Sequence, residues 1–182
     1  MTRYPRKHTK GIILVGFCVS ALLCLLGLTG CGYHFKGMGL QAPEGVETIA
    51  IPMLENKTTK PGIETVFTGD LAYEFTRSKV LQVVKKESAD AVLSGSIASL
   101  NTDTIAHTAD YASDERRATI TLSLMLKRKD GQVIWADSGL SDNEIYKVSD
   151  DRLTTDRNER QAIETISERL AQKIHTRVLE DF

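Results

Sequence analysis

Residues 119–135 constrain the fold of this chain more than any other segment. Apolar side chains alternate with polar ones, as in a half-buried β-strand. One side of the strand carries Ile120, Leu122, Leu124 and Leu126, and the other carries Thr119, Thr121, Ser123 and Lys127. Lys129-Asp130-Gly131 follows, and Asp-Gly is a strong signal for a tight turn. The return strand starts at Val133 and is expected to run towards Tyr146, so the segment predicts an antiparallel hairpin with one apolar face.

Two other segments have the period of amphipathic helices. In residues 61–78 the apolar stripe consists of Ile63, Phe67, Leu71 and Phe75. Asp156 and Glu159 have the spacing of a capping box. The long helix that follows them would bury Ile163, Ile166, Leu170, Ile174 and Val178. His175 lies beside that stripe and is expected at the helix end or on the surface.

The remaining extended stretches complete the predicted sheet. Strands are expected at 48–52 and 91–100, with a further short candidate at 81–84. Gly95 indicates a bulge or a close backbone approach. Residues 101–113 are either a loop or a frayed continuation of the strands. The element order β-α-β-β-β-α predicts an α+β two-layer sandwich, with two helices on one face of a mostly antiparallel four-stranded sheet.

The N-terminus has the features of an export signal. Arg3, Arg6, Lys7 and Lys10 precede an apolar run at 11–28, and Leu28-Thr29-Gly30-Cys31 ends it. This end resembles the lipobox of bacterial lipoprotein precursors, which implies removal of residues 1–30 and lipidation of Cys31. A retained membrane span is the alternative, but it gives no reason for the small residues before Cys31. Gly32, which is not aspartate, favours sorting to the outer membrane.

The composition of the remaining 152 residues narrows the function further. The leader carries four of the 23 Lys and Arg and none of the 24 Asp and Glu, which leaves 19 against 24 and a formal charge of −5. Such a domain is a poor candidate for nucleic-acid binding. Cys18 and Cys24 leave with the leader and Cys31 takes the lipid, so the domain is expected to fold without a disulfide. We expect a tether at 31–46 and a single domain at 47–182.

The start of this mature chain carries a resemblance to a known family. Gly30-Cys31-Gly32-Tyr33-His34-Phe35, followed by Gly37, resembles the opening of LptE-type lipopolysaccharide-assembly lipoproteins, the rare lipoprotein B family. The predicted element order matches that family across the mature chain. The resemblance implies a non-enzymatic protein of the outer membrane. It would lie in the lumen of an LptD-type β-barrel as plug and assembly partner, and it would bind lipopolysaccharide.

Given that family, the basic side chains become candidate ligand-binding residues. Lys127, Arg128 and Lys129 form the densest basic cluster of the mature chain, and Arg116 and Arg117 form a second one. Lipopolysaccharide presents phosphates, which arginine binds in bidentate geometry and lysine as a point charge. The alternative is a solvated hairpin tip whose charges oppose edge aggregation.

The aromatic residues of the mature chain have two expected roles. Tyr33 and Phe35 adjoin the lipidation site and are candidates for the membrane interface, where aromatic side chains are enriched. A disordered tether is the alternative. Trp135, the single tryptophan, is expected in the core just after the hairpin turn.

Catalytic and cofactor motifs are missing from the sequence. It has no G-x-S-x-G nucleophile elbow, Walker A motif or dinucleotide fingerprint, so we expect no cofactor and no metal. Two other functions stay open: a periplasmic adaptor for another cell-envelope complex, and a lipoprotein hydrolase.

Overall fold

The computed structural model describes residues 41–106 and 115–180. Along the chain lie β1 (Thr48–Ala50), β2 (Glu55–Asn56), α1 (Ile63–Ser78), β3 (Gln82–Val83) and a 3₁₀ turn (Lys86–Ser88). They are followed by β4 (Ala91–Ala106), β5 (Glu115–Arg128), β6 (Val133–Lys147) and α2 (Arg152–Glu180). The predicted signal peptide, Cys31, Tyr33 and Phe35 lie outside the described residues.

The α+β two-layer architecture is confirmed, and within residues 41–106 and 115–180 the sheet has six strands where four were expected. Five strands follow the order β3-β1-β4-β5-β6, and β2 pairs with β4 beside β1. The sheet is mixed: β1, β2 and β3 pair in parallel, whereas the long strands β4, β5 and β6 are antiparallel. Strands of two residues are too short to show a period in the sequence, which explains the lower predicted number.

Helices and sheet enclose one apolar core. Phe67, Leu71 and Phe75 of α1 and the whole predicted stripe of α2 are buried in one cluster, together with the apolar side of β5. Trp135 is 7% exposed and belongs to this core, as predicted. Both helical periods and the alternation in β5 are therefore confirmed residue by residue.

The hairpin between β5 and β6 forms as the sequence predicts. Gly131 has a φ of 93°, its N–H donates to the Arg128 carbonyl at 2.9 Å, and the Arg128 N–H donates to the Gln132 carbonyl at 2.8 Å. The Asp130 carboxylate accepts the N–H of Gln132 at 2.9 Å. Asp-Gly thus supplies both the left-handed residue and the side-chain acceptor that the turn requires.

One local expectation is decided and another is corrected. Of the two alternatives for residues 101–113, the continuation of the strand holds as far as Ala106, where β4 ends. The capping box is wrong, because α2 begins at Arg152, before Asp156. Asp151 caps it instead: its carboxylate accepts the N–H groups of Leu153 at 3.2 Å and Thr154 at 3.0 Å. The apolar stripe begins only at Ile163, so the periodic pattern did not indicate the polar first turns of the helix.

The exposed edge strand β6 is protected by side chains of α2. Arg169 donates to the Asn143 carbonyl at 2.6 Å and bonds Asp142 and Glu144 at 2.9 and 2.7 Å. Asn158 donates to the Lys147 carbonyl at 2.8 Å. A long edge with free backbone groups invites pairing with other chains, and these contacts occupy part of it.

Candidate functional site

A basic cleft of about 310 Å³ lies beside the turn between β5 and β6. Its lining contains four cationic residues, which are Lys86, Lys127, Arg128 and Lys129. Ala89, Val92 and Ser94 complete the lining. The antiparallel register places Lys127 opposite Val92, and the Lys129 N–H donates to the Asp90 carbonyl at 2.9 Å. The start of β4 and the end of β5 therefore hold the three predicted basic residues around one small depression.

Lys86 is the member of this cleft that sequence reasoning missed. It lies in the 3₁₀ turn before β4, about forty residues from the hairpin in the chain. Its only sequence signal is its neighbour Lys85, and a pair of lysines in a polar segment is common. Among the described residues, Lys86 and Lys127 have no carboxylate within salt-bridge distance, so their ammonium groups are available to an anion.

Arg128 differs from the lysines because it also has a structural role. Its guanidinium donates through Nη2 to the carbonyl of Glu44. A Cβ on Gly45, where φ is +70°, would lie 3.5 Å from Nη1. Arg128 thus holds residues 44–45 against the hairpin. Only some of its guanidinium N–H groups remain available to a ligand.

Asp90 organises the strand junction beneath the cleft. Its Oδ2 accepts the Thr48 hydroxyl at 2.7 Å and the N–H groups of Thr48 and Glu47 at 2.9 and 3.1 Å. The Thr48 hydroxyl, the two N–H groups and, more weakly, the positive charge of Lys129 hold the pKa of Asp90 below its ordinary value. Asp90 is therefore ionised at neutral pH and offsets part of the charge of Lys129.

The second predicted basic pair is remote from this cleft. Arg116 and Arg117 are exposed at the opposite end of β5, opposite Thr104 and Asp103 of β4. Eleven residues of extended strand separate Arg116 from Lys127, which corresponds to about 36 Å. Successive side chains of a strand also point to opposite faces, so the structure brings these arginines neither to the cleft nor onto one surface.

The face of the sheet away from the core carries short polar side chains. The register aligns them across the three long strands: Ser94, Ser96, Ser99 and Asn101 of β4, Thr119, Thr121 and Ser123 of β5, and Ser141 and Asn143 of β6. The polar face predicted from β5 alone therefore extends across its neighbours. We call these nine residues the polar sheet face.

The expectation for His175 is wrong, because this residue is 6% exposed and lies between the helices. Its ring packs edge-on to Phe75, with the centroids 5.0 Å apart, and its Nε2 has no hydrogen-bond partner among the described residues. Buried Glu74, which bonds Arg77 at 2.7 Å, lies nearby on α1. Whether an imidazole beside an apolar stripe is buried depends on how the two helices cross. The sequence of α2 alone does not reveal that crossing.

This burial predicts a pH-dependent stability. Burial holds the pKa of His175 below the ordinary 6.5; Glu74 opposes that shift and Arg77 adds to it. Below about pH 6.5 the unfolded chain takes up a proton that the folded chain resists, so the free energy of unfolding falls as pH falls. Above that pH, His175 is neutral in both states and contributes nothing to the pH dependence of the free energy of unfolding.

Thermal denaturation of the protein and of His175→Leu, between about pH 7.5 and 5.5, checks this expectation. The melting temperature of the protein should fall more steeply than that of the variant, which cannot bind the proton. Parallel curves for the two proteins would refute it.

Two general findings concern the described ranges alone. Within residues 41–106 and 115–180, no helix is long and apolar enough to cross a membrane. In the same part of the chain, no group of three or more His, Cys, Asp or Glu side chains is arranged to hold a metal ion.

The fold and the cleft define a two-layer α+β domain that presents a basic surface at one end of its sheet. The chain belongs to the LptE family, described as lipopolysaccharide-assembly, whose family model matches residues 46–178. No curated protein matches the chain by sequence.

Solved structures share this fold at low identity. Lipoprotein B from Nitrosomonas europaea is 15% identical with a TM-score of 0.55, covering 81% of this chain and 90% of its own. The PelC dodecamer from Paraburkholderia phytofirmans is 14% identical with a TM-score of 0.50, covering 76% and 92%. These likenesses concern the fold alone.

Proposed function

We propose that this chain is a lipid-anchored outer-membrane lipoprotein, attached through Cys31, that works without catalysis or cofactor in lipopolysaccharide assembly. The observation that carries the proposal is the family match over residues 46–178. That range runs from the segment before β1 almost to the end of α2, so it covers the domain and not an isolated motif.

The proposed partner is an LptD-type β-barrel of the outer membrane. In this role the domain lies in the barrel lumen, supports barrel assembly, and assists the delivery and insertion of lipopolysaccharide at the cell surface. The lumen of large barrels is polar. The nine residues of the polar sheet face are serine, threonine and asparagine, which have short and uncharged side chains. A surface of this kind can lie closely against a hydrated polar wall, which supports the proposed contact.

The proposed ligand of the basic cleft is the phosphate-bearing head of lipopolysaccharide. Ammonium groups bind phosphate as point charges, and a guanidinium can bind it in bidentate geometry. Lys86, Lys127 and Lys129 would contact the phosphate. Arg128 would hold the hairpin in position through Glu44 and offer its remaining donors.

Copurification tests the proposed partnership. The tagged, lipidated protein, extracted with detergent, is expected to retain a large β-barrel protein. Thr121→Glu places a charge in the middle of the polar sheet face and should reduce the retained barrel severalfold. Gln172→Glu adds the same charge on the exposed surface of α2 and should not. Normal surface lipopolysaccharide after depletion of the protein, or a preparation without a barrel, would contradict the proposal.

A further inference from the structure

The first described residues are fixed to the end of the domain that carries the basic cleft. The Gln41 N–H donates to the carbonyl of Leu179, near the end of α2, at 3.2 Å. Pro43 and Val46 are buried, and the Val46 N–H donates to the Pro43 carbonyl at 2.9 Å. The described end of the predicted tether is thus part of the folded domain.

Arg128 connects this segment directly to the cleft. It lines the cleft and also donates to the Glu44 carbonyl. The chain that arrives from the N-terminus therefore joins the domain beside the cleft. The exposed pair Arg116 and Arg117 lies at the other end of the same strand.

The length of the preceding chain limits how far this end can be from the anchor. Ten residue steps separate Cys31 from Gln41, and a fully extended chain of that length spans at most about 36 Å. If Cys31 carries lipid, as the proposed function requires, the domain cannot move farther than this from the membrane surface, and its attached end is the cleft end.

We propose that the basic cleft docks on anionic phospholipid headgroups of the leaflet that holds the anchor, so that lipid and cleft bind the same membrane together. In the part of the chain that the structure describes, the lining of the cleft contains four cationic residues and no acidic one. Each lysine or arginine close to an anionic surface raises membrane binding about fivefold, within roughly a Debye length. The inference rests on the proposed lipidation and adds an orientation, with the cleft towards the headgroups.

Lysine reactivity on vesicles tests this orientation. The full lipidated protein is reconstituted in phosphatidylcholine vesicles, with or without phosphatidylglycerol, and lysine acylation is measured by mass spectrometry. In the anionic vesicles Lys86, Lys127 and Lys129 should react severalfold more slowly than in phosphatidylcholine alone, because the headgroups bind their ammonium groups. Lys57 and Lys147, which are exposed elsewhere, serve as matched controls, and their reaction rates should change little. The protection should disappear at about 1 M salt, where the Debye length is about 3 Å.

The outcomes separate this inference from the proposed function. The same change at cleft and control lysines, or none at either, overturns the docking. A third preparation contains lipopolysaccharide in phosphatidylcholine, and protection there but not with phosphatidylglycerol overturns the docking while it supports the proposed ligand. The intact mass reports the lipid on Cys31 independently, and its absence overturns the anchor and the docking together.

Discussion

Replacing Gly95 with alanine is expected to lower the free energy of unfolding by about 3 kcal/mol, which corresponds to roughly 10 °C in melting temperature for a domain of this size. Gly95 lies opposite Leu124 in the centre of the sheet. A Cβ at Gly95 would lie 2.0 Å from the Ser123 carbonyl oxygen and 2.8 Å from the Leu124 Cα. Both obstacles are backbone atoms of a central strand, so relief requires β4 and β5 to move apart.

Gly69→Ala is the matched control for this substitution. Gly69 lies within α1, and none of the surrounding described residues has an atom within 4 Å of a Cβ built there. Alanine is a better helix former than glycine by about 0.5–1 kcal/mol, so this variant should be slightly more stable than the protein. Chemical denaturation of both variants measures the difference. A Gly95→Ala protein as stable as the control would show that the two strands separate at little cost.

Neutralising the lysines of the cleft is expected to weaken lipopolysaccharide binding about 100-fold at low salt. The variant Lys86→Gln/Lys127→Gln/Lys129→Gln removes three charges, each worth about 1 kcal/mol next to an anionic surface. Arg128 is left intact because its loss would also release Glu44 from the hairpin. The effect should shrink as ionic strength rises, because the Debye length falls from about 10 Å at 0.1 M to about 3 Å at 1 M.

A charge-matched variant separates the cleft from overall charge. Lys57→Gln/Lys147→Gln/Lys173→Gln changes the net charge equally, at exposed positions outside the cleft. Its affinity should stay close to that of the protein, as measured by titration with fluorescent lipopolysaccharide. Equal losses in the two triple variants would mean that binding follows net charge and that the cleft has no special role.

Much of the fold follows from local patterns in the chain. The apolar residues at Ile63, Phe67 and Leu71 and the alternation in β5 identify faces that are buried as expected. Gly95 indicated a bulge or close approach, and the approach is confirmed, while the register shift lies two residues on, between Ile97 and Ser99. These features can be predicted from the sequence because side chains return to the same face every 3.6 residues in a helix and every two residues in a strand, whatever surrounds them.

Only part of the candidate site could be predicted from the sequence. Lys127, Arg128 and Lys129 are adjacent in sequence, so their clustering at the hairpin needed no tertiary information. Lys86 joins them only because β4 pairs with β5 and the 3₁₀ turn directly precedes β4. The distance between Arg116 and Lys127 follows from both lying in one unbroken strand.

By itself, the sequence determined both helices and the long strands, which of their faces turn inward, and that the hairpin turns at Asp130-Gly131. Those properties depend on neighbours a few residues apart, and backbone sterics and the burial of apolar side chains act at that range. Only the tertiary structure decided that Lys86 completes the cleft, that Arg128 holds Glu44, and that His175 is buried beside Phe75. Each depends on groups at least 40 residues apart in the chain, whose distance is set when the sheet pairs and the helices pack.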